Sequence, residues 1–379
     1  MLFFAALLVA EAAVRLLRVP RIAALVVAGA LLGALRRSGE AAVLTPVPSV
    51  LLDALAMVLL FEVGQRMPLG WLRRNPWLIA TSLGESAITF IAIYAVLALI
   101  FATSPVECAF VAAVTMTASP IVVMSVTKDL RARGQVSERS LLYSTLSSIY
   151  AVLLVQLFLA GYRAAAHVDL TSVVQPVFQL AGAFLLGALA AAALRLYAMI
   201  TRAYGALLTI GIICCCVLLY AYAPPLGLSP ILSALFFGLI VRGTDRSHSV
   251  LSHQTSEIGA VLTIAYFVLV GASLPWLDSW TLAGVAVAVA AIRLAAKVGA
   301  NAAFASPSAL SPAKGALVGI ASAPLSSLAL MLTASVAQQP ELERAAEISG
   351  AVVLLMAILG PVLTELALRR AGEPTRDDA

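Results

Sequence analysis

The sequence predicts an all-α membrane protein of about thirteen transmembrane helices, built as an inverted-topology repeat around two crossed discontinuous helices. Three observations carry that expectation. The 379 residues are 62% hydrophobic and 11% charged, with a mean hydropathy of +1.02, whereas soluble domains are roughly 45–50% apolar and about 25% charged. Apolar runs close to the roughly 20 residues that a spanning helix needs recur from end to end, separated by short polar breaks. Prolines also sit deep inside two of those runs, at corresponding places in two similar halves.

Punctuation by Arg, Lys, Pro and Gly predicts spans over 2–16, 20–35, 43–64, 77–102, 106–127, 138–162 and 172–198, then 204–222, 227–241, 255–274, 279–304, 313–337 and 345–368. The opening "MLFFAALLVAEAAV" has no charged segment before its apolar run and no cleavage pattern. It reads as a retained first helix rather than a signal peptide. With the N-terminus outside, eighteen of the 24 Lys and Arg fall in inner loops and the tail, including Arg73, Arg74, Arg131, Arg133, Arg139 and Lys314. Four fall outside: Arg36, Arg37, Arg163 and Arg344. This asymmetry predicts an odd number of spans and a cytoplasmic C-terminus, as in a bacterial inner membrane. It also explains the net charge of +5 without nucleic acid.

The halves are related by near-constant offsets. "VPRIAALVVAGALLG" resembles "LSPILSALFFGLIV" with Pro20 on Ser229 and Gly29 on Gly238, both 209 apart. "FEVGQRMP" matches "VLVGASLP" at an offset of 207, and Pro120 of "TASP" lies 204 before Pro324 of "SAP". The expected organisation is one transporter domain over 1–370, with repeat one at 1–163, a connecting helix at 172–198, repeat two at 204–368, and a short cytoplasmic tail at 371–379. Seven spans, an odd number, separate the copies, so they are inverted. Inverted repeats with broken helices mark secondary transporters, whose sites lie at the midplane.

Proline removes a backbone donor and clashes with the carbonyl one turn back. Around Pro120 and Pro324, the residues Thr117, Ser119, Ser326 and Ser327 supply the hydroxyls that freed backbone groups need, and they are candidate ion or substrate ligands. Ionisable residues at membrane depth default to function. Arg293 and Lys297 lie four apart on one helix face, and Glu85 lies near the middle of its span, where it pairs with one of them or lines the cavity. These three are the proton-coupling or charge-compensating candidates. Asp53, Glu62 and Glu11 lie nearer helix ends and read as structural.

The four cysteines, Cys108, Cys214, Cys215 and Cys216, fall in spans without metal-ligand spacing, so packing is expected rather than a metal site or a disulfide. His167, His248 and His253 fall in loops, and no Ser is spaced with a base, which argues against an enzyme and against a cofactor.

These residues resemble the monovalent cation/proton antiporter family of sodium/hydrogen exchangers over nearly the whole chain. The carriers are "RVPRIAALVVAGALLG", "LLFEVGQRM", "TASPIVVMSVTKDL", "LGLSPILSALFFGLIV", "YFVLVGASL", "RLAAKVGA" with Lys297, and "SAPLSSLALML". The resemblance implies a homodimer that exchanges Na+ or K+ for H+ through an elevator-like core. It also implies an acidic pair on the span 138–162, where this chain has Ser147 and Ser148 instead. Arg66 likewise stands where the family pattern usually has Glu.

A hydroxyl does not titrate in the working pH range, though it ligates a hard cation. Three outcomes stay open: the proton is carried by Glu85 or Lys297; the site has changed sign and carries an organic or inorganic anion; or the protein no longer transports and serves as a membrane sensor or partner subunit. Broken helices also line channel pores.

Overall fold

The computed structural model describes residues 10–12, 14, 20–37, 49–67, 74–101, 103–164, 171–201, 206–244, 255–273, 280–325, 327–337 and 339–374. Among them run fourteen α-helices and no strand: α1 (Arg21–Arg37), α2 (Ser49–Arg66), α3 (Trp77–Ile100), α4 (Pro105–Thr115), α5 (Pro120–Asp129), α6 (Gln135–Ala164), α7 (Thr171–Thr201), α8 (Ala206–Tyr222), α9 (Pro230–Thr244), α10 (Thr255–Ser273), α11 (Trp280–Ala303), α12 (Pro312–Ala321), α13 (Ser327–Ala337) and α14 (Glu343–Ala371). The predicted span 2–16 and His167, His248 and His253 lie largely or wholly outside the described residues. Among the described residues, six helical stretches are long and apolar enough to cross a membrane, and the one formed by α4 and α5 together is almost entirely buried.

Local chemistry sets the helix starts. Ser104 and Glu107 form a reciprocal capping box ahead of α4, with Pro105 at the first position. Ser119 caps α5 and Ser311 caps α12, each followed by proline. Gly372, at φ +70°, ends α14 in the left-handed conformation that favours glycine.

The chain forms two compact units. The first gathers the described residues of 1–44, 68–159 and 270–379. Within it α11 packs against α3, α12 and α14, and α14 also lies along α4 and α13. Glycines permit the closest contacts: a Cβ on Gly319 would lie 2.6 Å from the Lys297 carbonyl oxygen, and one on Gly360 would lie 2.5 Å from Pro324 Cα. The second unit gathers 45–67 and 160–269. There α9 packs between α2 and α7, Phe61 meets Phe237 at 4.5 Å between ring centroids, and the Tyr220 hydroxyl donates to Asp53.

One backbone approach occurs twice. In the second unit a Cβ on Gly64 would fall 2.2 Å from Leu235 O and 2.9 Å from Leu239 N. In the first, a Cβ on Gly271 would fall 2.1 Å from Val26 O and 2.9 Å from Ala30 N. Gly271 follows Gly64 by 207, and Leu235 and Leu239 follow Val26 and Ala30 by 209. These are the offsets that relate the two halves of the sequence. Small residues let membrane helices approach this closely.

Since neither backbone can yield to a side chain, Gly271→Ala is expected to cost about 1–3 kcal/mol of overpacking. Gly284, with nothing within 4 Å of its added Cβ, is the control. Thermal unfolding of purified protein in detergent should show a lowered midpoint for Gly271→Ala and an unchanged one for Gly284→Ala.

Candidate functional site

The first interruption is residues 116–119, between α4 and α5, and the second follows α12 at Ser322. Both occur where proline forbids a continuous helix, and the two meet: Ser119 N–H donates to Pro324 O at 2.8 Å. A break of this kind leaves helix C-termini with unsatisfied carbonyls and a partial negative charge.

Arg293 of α11 fills that need. Its Nε donates to Thr115 O at 2.6 Å, one terminal nitrogen donates to Ala323 O at 2.6 Å, and the other donates to Thr117 O. The guanidinium is wholly buried. One cation thus caps the ends of α4 and α12 together, through charge-assisted bonds stronger than neutral ones.

The remaining peptide of the first break is held by α6. Ala118 N–H donates to Ser147 Oγ at 3.2 Å, while Ser148 Oγ shares its one proton between Ala118 O at 3.1 Å and Ser144 O at 2.8 Å. Ser147 Oγ itself donates to Ser144 O. The adjacent hydroxyls therefore divide the work, one accepting and one donating across a single unwound peptide. Thr117 Oγ1 donates to Val114 O, and Ser119 Oγ accepts from Val122 N–H. Behind the second break, Thr364 of α14 donates to Ala321 O.

One turn along α11 from Arg293, Lys297 Nζ lies 2.5 Å from Glu85 Oε1 of α3, both groups fully buried. The carboxylate also accepts from Ser86 Oγ at 3.4 Å and Thr89 Oγ1 at 3.3 Å. Of the two partners open to Glu85 in the sequence, Lys297 takes it and Arg293 takes carbonyls.

Among the sequence candidates, Thr117, Ser119, Pro120, Ser147, Ser148, Pro324 and Arg293 converge on the breaks, and Glu85 joins Lys297. Ser326 and the side chains of Ser327 and Arg66 lie outside the described residues. The carbonyls of Thr115, Thr117, Ala118, Ala323 and Pro324 all accept bonds from the chain itself.

Sequence reasoning missed the buried face of α3. Thr81, Ser82, Glu85, Ser86 and Thr89 make up most of its buried residues. Their spacing repeats with helical period, so "TSLGESAIT" held the signal. It also missed Arg139, which donates to Ser308 Oγ at 2.8 Å and Ser308 O at 2.7 Å.

An all-helical bundle with a buried ion pair beside two interrupted helices defines an integral membrane transporter. The chain belongs to the transmembrane sodium/hydrogen exchanger family, whose profile matches residues 2–369, a family of transporters and not of enzymes. Two solved structures of the sodium proton antiporter MjNhaP1 from Methanocaldococcus jannaschii share its fold. One, at pH 8, is 16% identical with a TM-score of 0.70, covering 97% of this chain and 96% of that one. The other, an electron-microscopy structure, is 18% identical with a TM-score of 0.71, covering 99% and 98%. No curated protein matches the chain.

Because Ser148 must donate and Ser147 must accept, substitutions there are expected to differ. Ser147→Asp keeps an acceptor for Ala118 N–H and should fold, whereas Ser148→Asp places an ionised acceptor against Ala118 O and should lose about 1–3 kcal/mol. Thermal midpoints of the two variants, measured side by side above pH 7, check the order.

Proposed function

We propose that the protein exchanges a monovalent cation, Na+ or K+, for H+ by alternating access, with the exchange centred on the Glu85–Lys297 pair rather than on carboxylates at 147 and 148. Family membership supports cation:proton antiport at a general level. The observation that carries the finer reading is the 2.5 Å contact between Lys297 Nζ and Glu85 Oε1.

The chemistry follows from charge. A carboxylate at membrane depth needs one positive partner, since leaving it uncompensated is strongly unfavourable. A second cation on Glu85 beside a charged Lys297 is opposed by repulsion that a low dielectric magnifies. A metal cation therefore occupies Glu85 when Lys297 gives up its proton, and leaves when Lys297 regains one. One cation exchanges for one proton, and the net charge of the site stays constant. The Ser86 and Thr89 hydroxyls contribute oxygen ligands that suit a hard cation.

The hydroxyls of Ser147, Ser148, Thr117 and Ser119 then keep the breaks in shape rather than carry the proton. The cytoplasmic C-terminus follows from the charge asymmetry of the loops. The homodimer that the resemblance implies has apolar surface available on α7, where Phe178, Phe184, Leu185 and Leu189 are exposed.

The test is transport in proteoliposomes with a pH-sensitive dye, scanning Na+, K+, Li+ and organic anions. Wild type should show cation-dependent proton flux, with the apparent KM for the cation falling as pH rises, because protons compete for the site. Glu85→Gln and Lys297→Met should each abolish flux and destabilise the protein, by about 3–5 kcal/mol for a broken buried pair. The double variant should regain stability without regaining flux. Proton flux surviving in Lys297→Met would overturn the assignment, and uptake of a labelled anion without any cation response would replace it with an anion carrier.

A further inference from the structure

The inside-out pattern of α3 calls for something that its pairing with Lys297 does not supply. Exposed positions such as Leu83, Ile88 and Ile91 are apolar, while Thr81, Ser82, Glu85, Ser86 and Thr89 are buried. At 1.5 Å per residue this stripe runs about 12 Å along the helix, although one carboxylate needs only two or three donors. The polar groups continue from Glu85 toward the membrane face that carries Arg131, Arg133 and Lys314. Ser82 Oγ is buried with no hydrogen-bond partner in the protein, and it lies near the Tyr150 hydroxyl of α6, itself near Glu85. On α11, Asn301 donates to Lys297 O one turn back. Its own Oδ1 is buried with no hydrogen-bond partner in the protein. An amide oxygen at membrane depth without a protein partner is a place for water.

The end of the stripe is closed by a polar knot. Tyr143 of α6 lies beside the side chains of Thr81, Arg139 and Ser308, and Thr81 Oγ1 donates to Phe304 O at 3.5 Å. Arg139, itself buried, clasps the hydroxyl and the carbonyl of Ser308, just past the C-terminal end of α11. Phe304 covers Gly84, its ring 2.9 Å from where a Cβ would stand. The first turns of α3 and α6 and the end of α11 are thus fastened together over the polar stripe.

We propose that this seam of hydroxyls and water is the route by which Lys297 exchanges its proton with solution on the arginine-rich face of the membrane, and that Arg139, Tyr143 and Ser308 form the lock that closes it. The inference rests on the exchange reading of the Glu85–Lys297 pair. In the step itself Lys297 gives one proton to a water, each hydroxyl or water along the seam accepts one proton and releases another, and the last water at the mouth leaves as hydronium. The lock holds a fixed guanidinium in the mouth, and a positive group there excludes both protons and cations. Release of Ser308 by Arg139 opens the route.

Cysteine accessibility tests this without depending on transport. With Cys108, Cys214, Cys215 and Cys216 replaced, Ser82→Cys in membrane vesicles of known orientation should react with a small impermeant thiol reagent from the arginine-rich face and not from the other. Adding Arg139→Gln, or the milder Ser308→Ala should the first fold poorly, is expected to speed labelling at least tenfold. Ile93→Cys, buried on the same face beyond Thr89, should stay unlabelled. Tyr150→Phe should lower the maximal proton flux severalfold and leave the cation KM unchanged. Ser82→Cys unreactive with the lock removed, or equally reactive from both faces, would overturn the route. Labelling as expected in a protein that shows no cation-dependent flux would retain the seam and remove the exchange reading it rests on.

Discussion

The structure of the first unit depends on one guanidinium. Interrupting two helices inside a membrane creates carbonyls that no water can reach, at the negative ends of two helix dipoles. Arg293 answers both at once by donating to Thr115, Thr117 and Ala323. A buried charge is normally a liability. Here it is matched by the partial charges of the helix ends, and those ends are tolerable only because the charge is present. The break and the arginine are each the condition for the other.

Holding the carbonyls has a second effect. Carbonyl oxygens already engaged by Arg293 and Ser148 are not open to a further ligand, so the contact between the two breaks acts as a joint. A buried row of polar side chains lies on α3, around a carboxylate whose counterion is a lysine. The serines at 147 and 148, which stand where the resemblance implies acids, are committed to the peptide of the first break.

Much of the fold was legible because its signals are long and one-dimensional. The apolar runs predicted over 77–102, 138–162 and 279–304 correspond to α3, α6 and α11 within a few residues at each end, since bilayer thickness fixes length and punctuation fixes ends. Pro120 and Pro324 announced both breaks. What a single helix cannot reveal is direction in three dimensions. Arg293 and Lys297 were visibly on one face, yet which would take Glu85 and which the carbonyls depends on how α3, α4 and α12 pack around α11. The knot at Arg139 and Ser308 joins residues 169 apart in the chain, and no local pattern marks it.

Arg293 and Lys297 show how neighbouring cations on one helix acquire opposite duties from the kind of partner each meets. Backbone carbonyls cannot move without unwinding a helix end, cannot be protonated near neutral pH, and hold a delocalised guanidinium in a fixed fork. Nothing that arrives from solution displaces them cheaply. A carboxylate on a side chain accepts an ammonium, a metal ion or a proton in turn, and a lysine is the basic side chain that most readily gives up its charge when buried. The immobile pairing at Arg293 fixes the position of α11, and with it the distance that Lys297 must span to reach Glu85. The proposed exchange at the second cation would therefore require permanence at the first: were the guanidinium to let go, the breaks would lose their caps and the lysine its register.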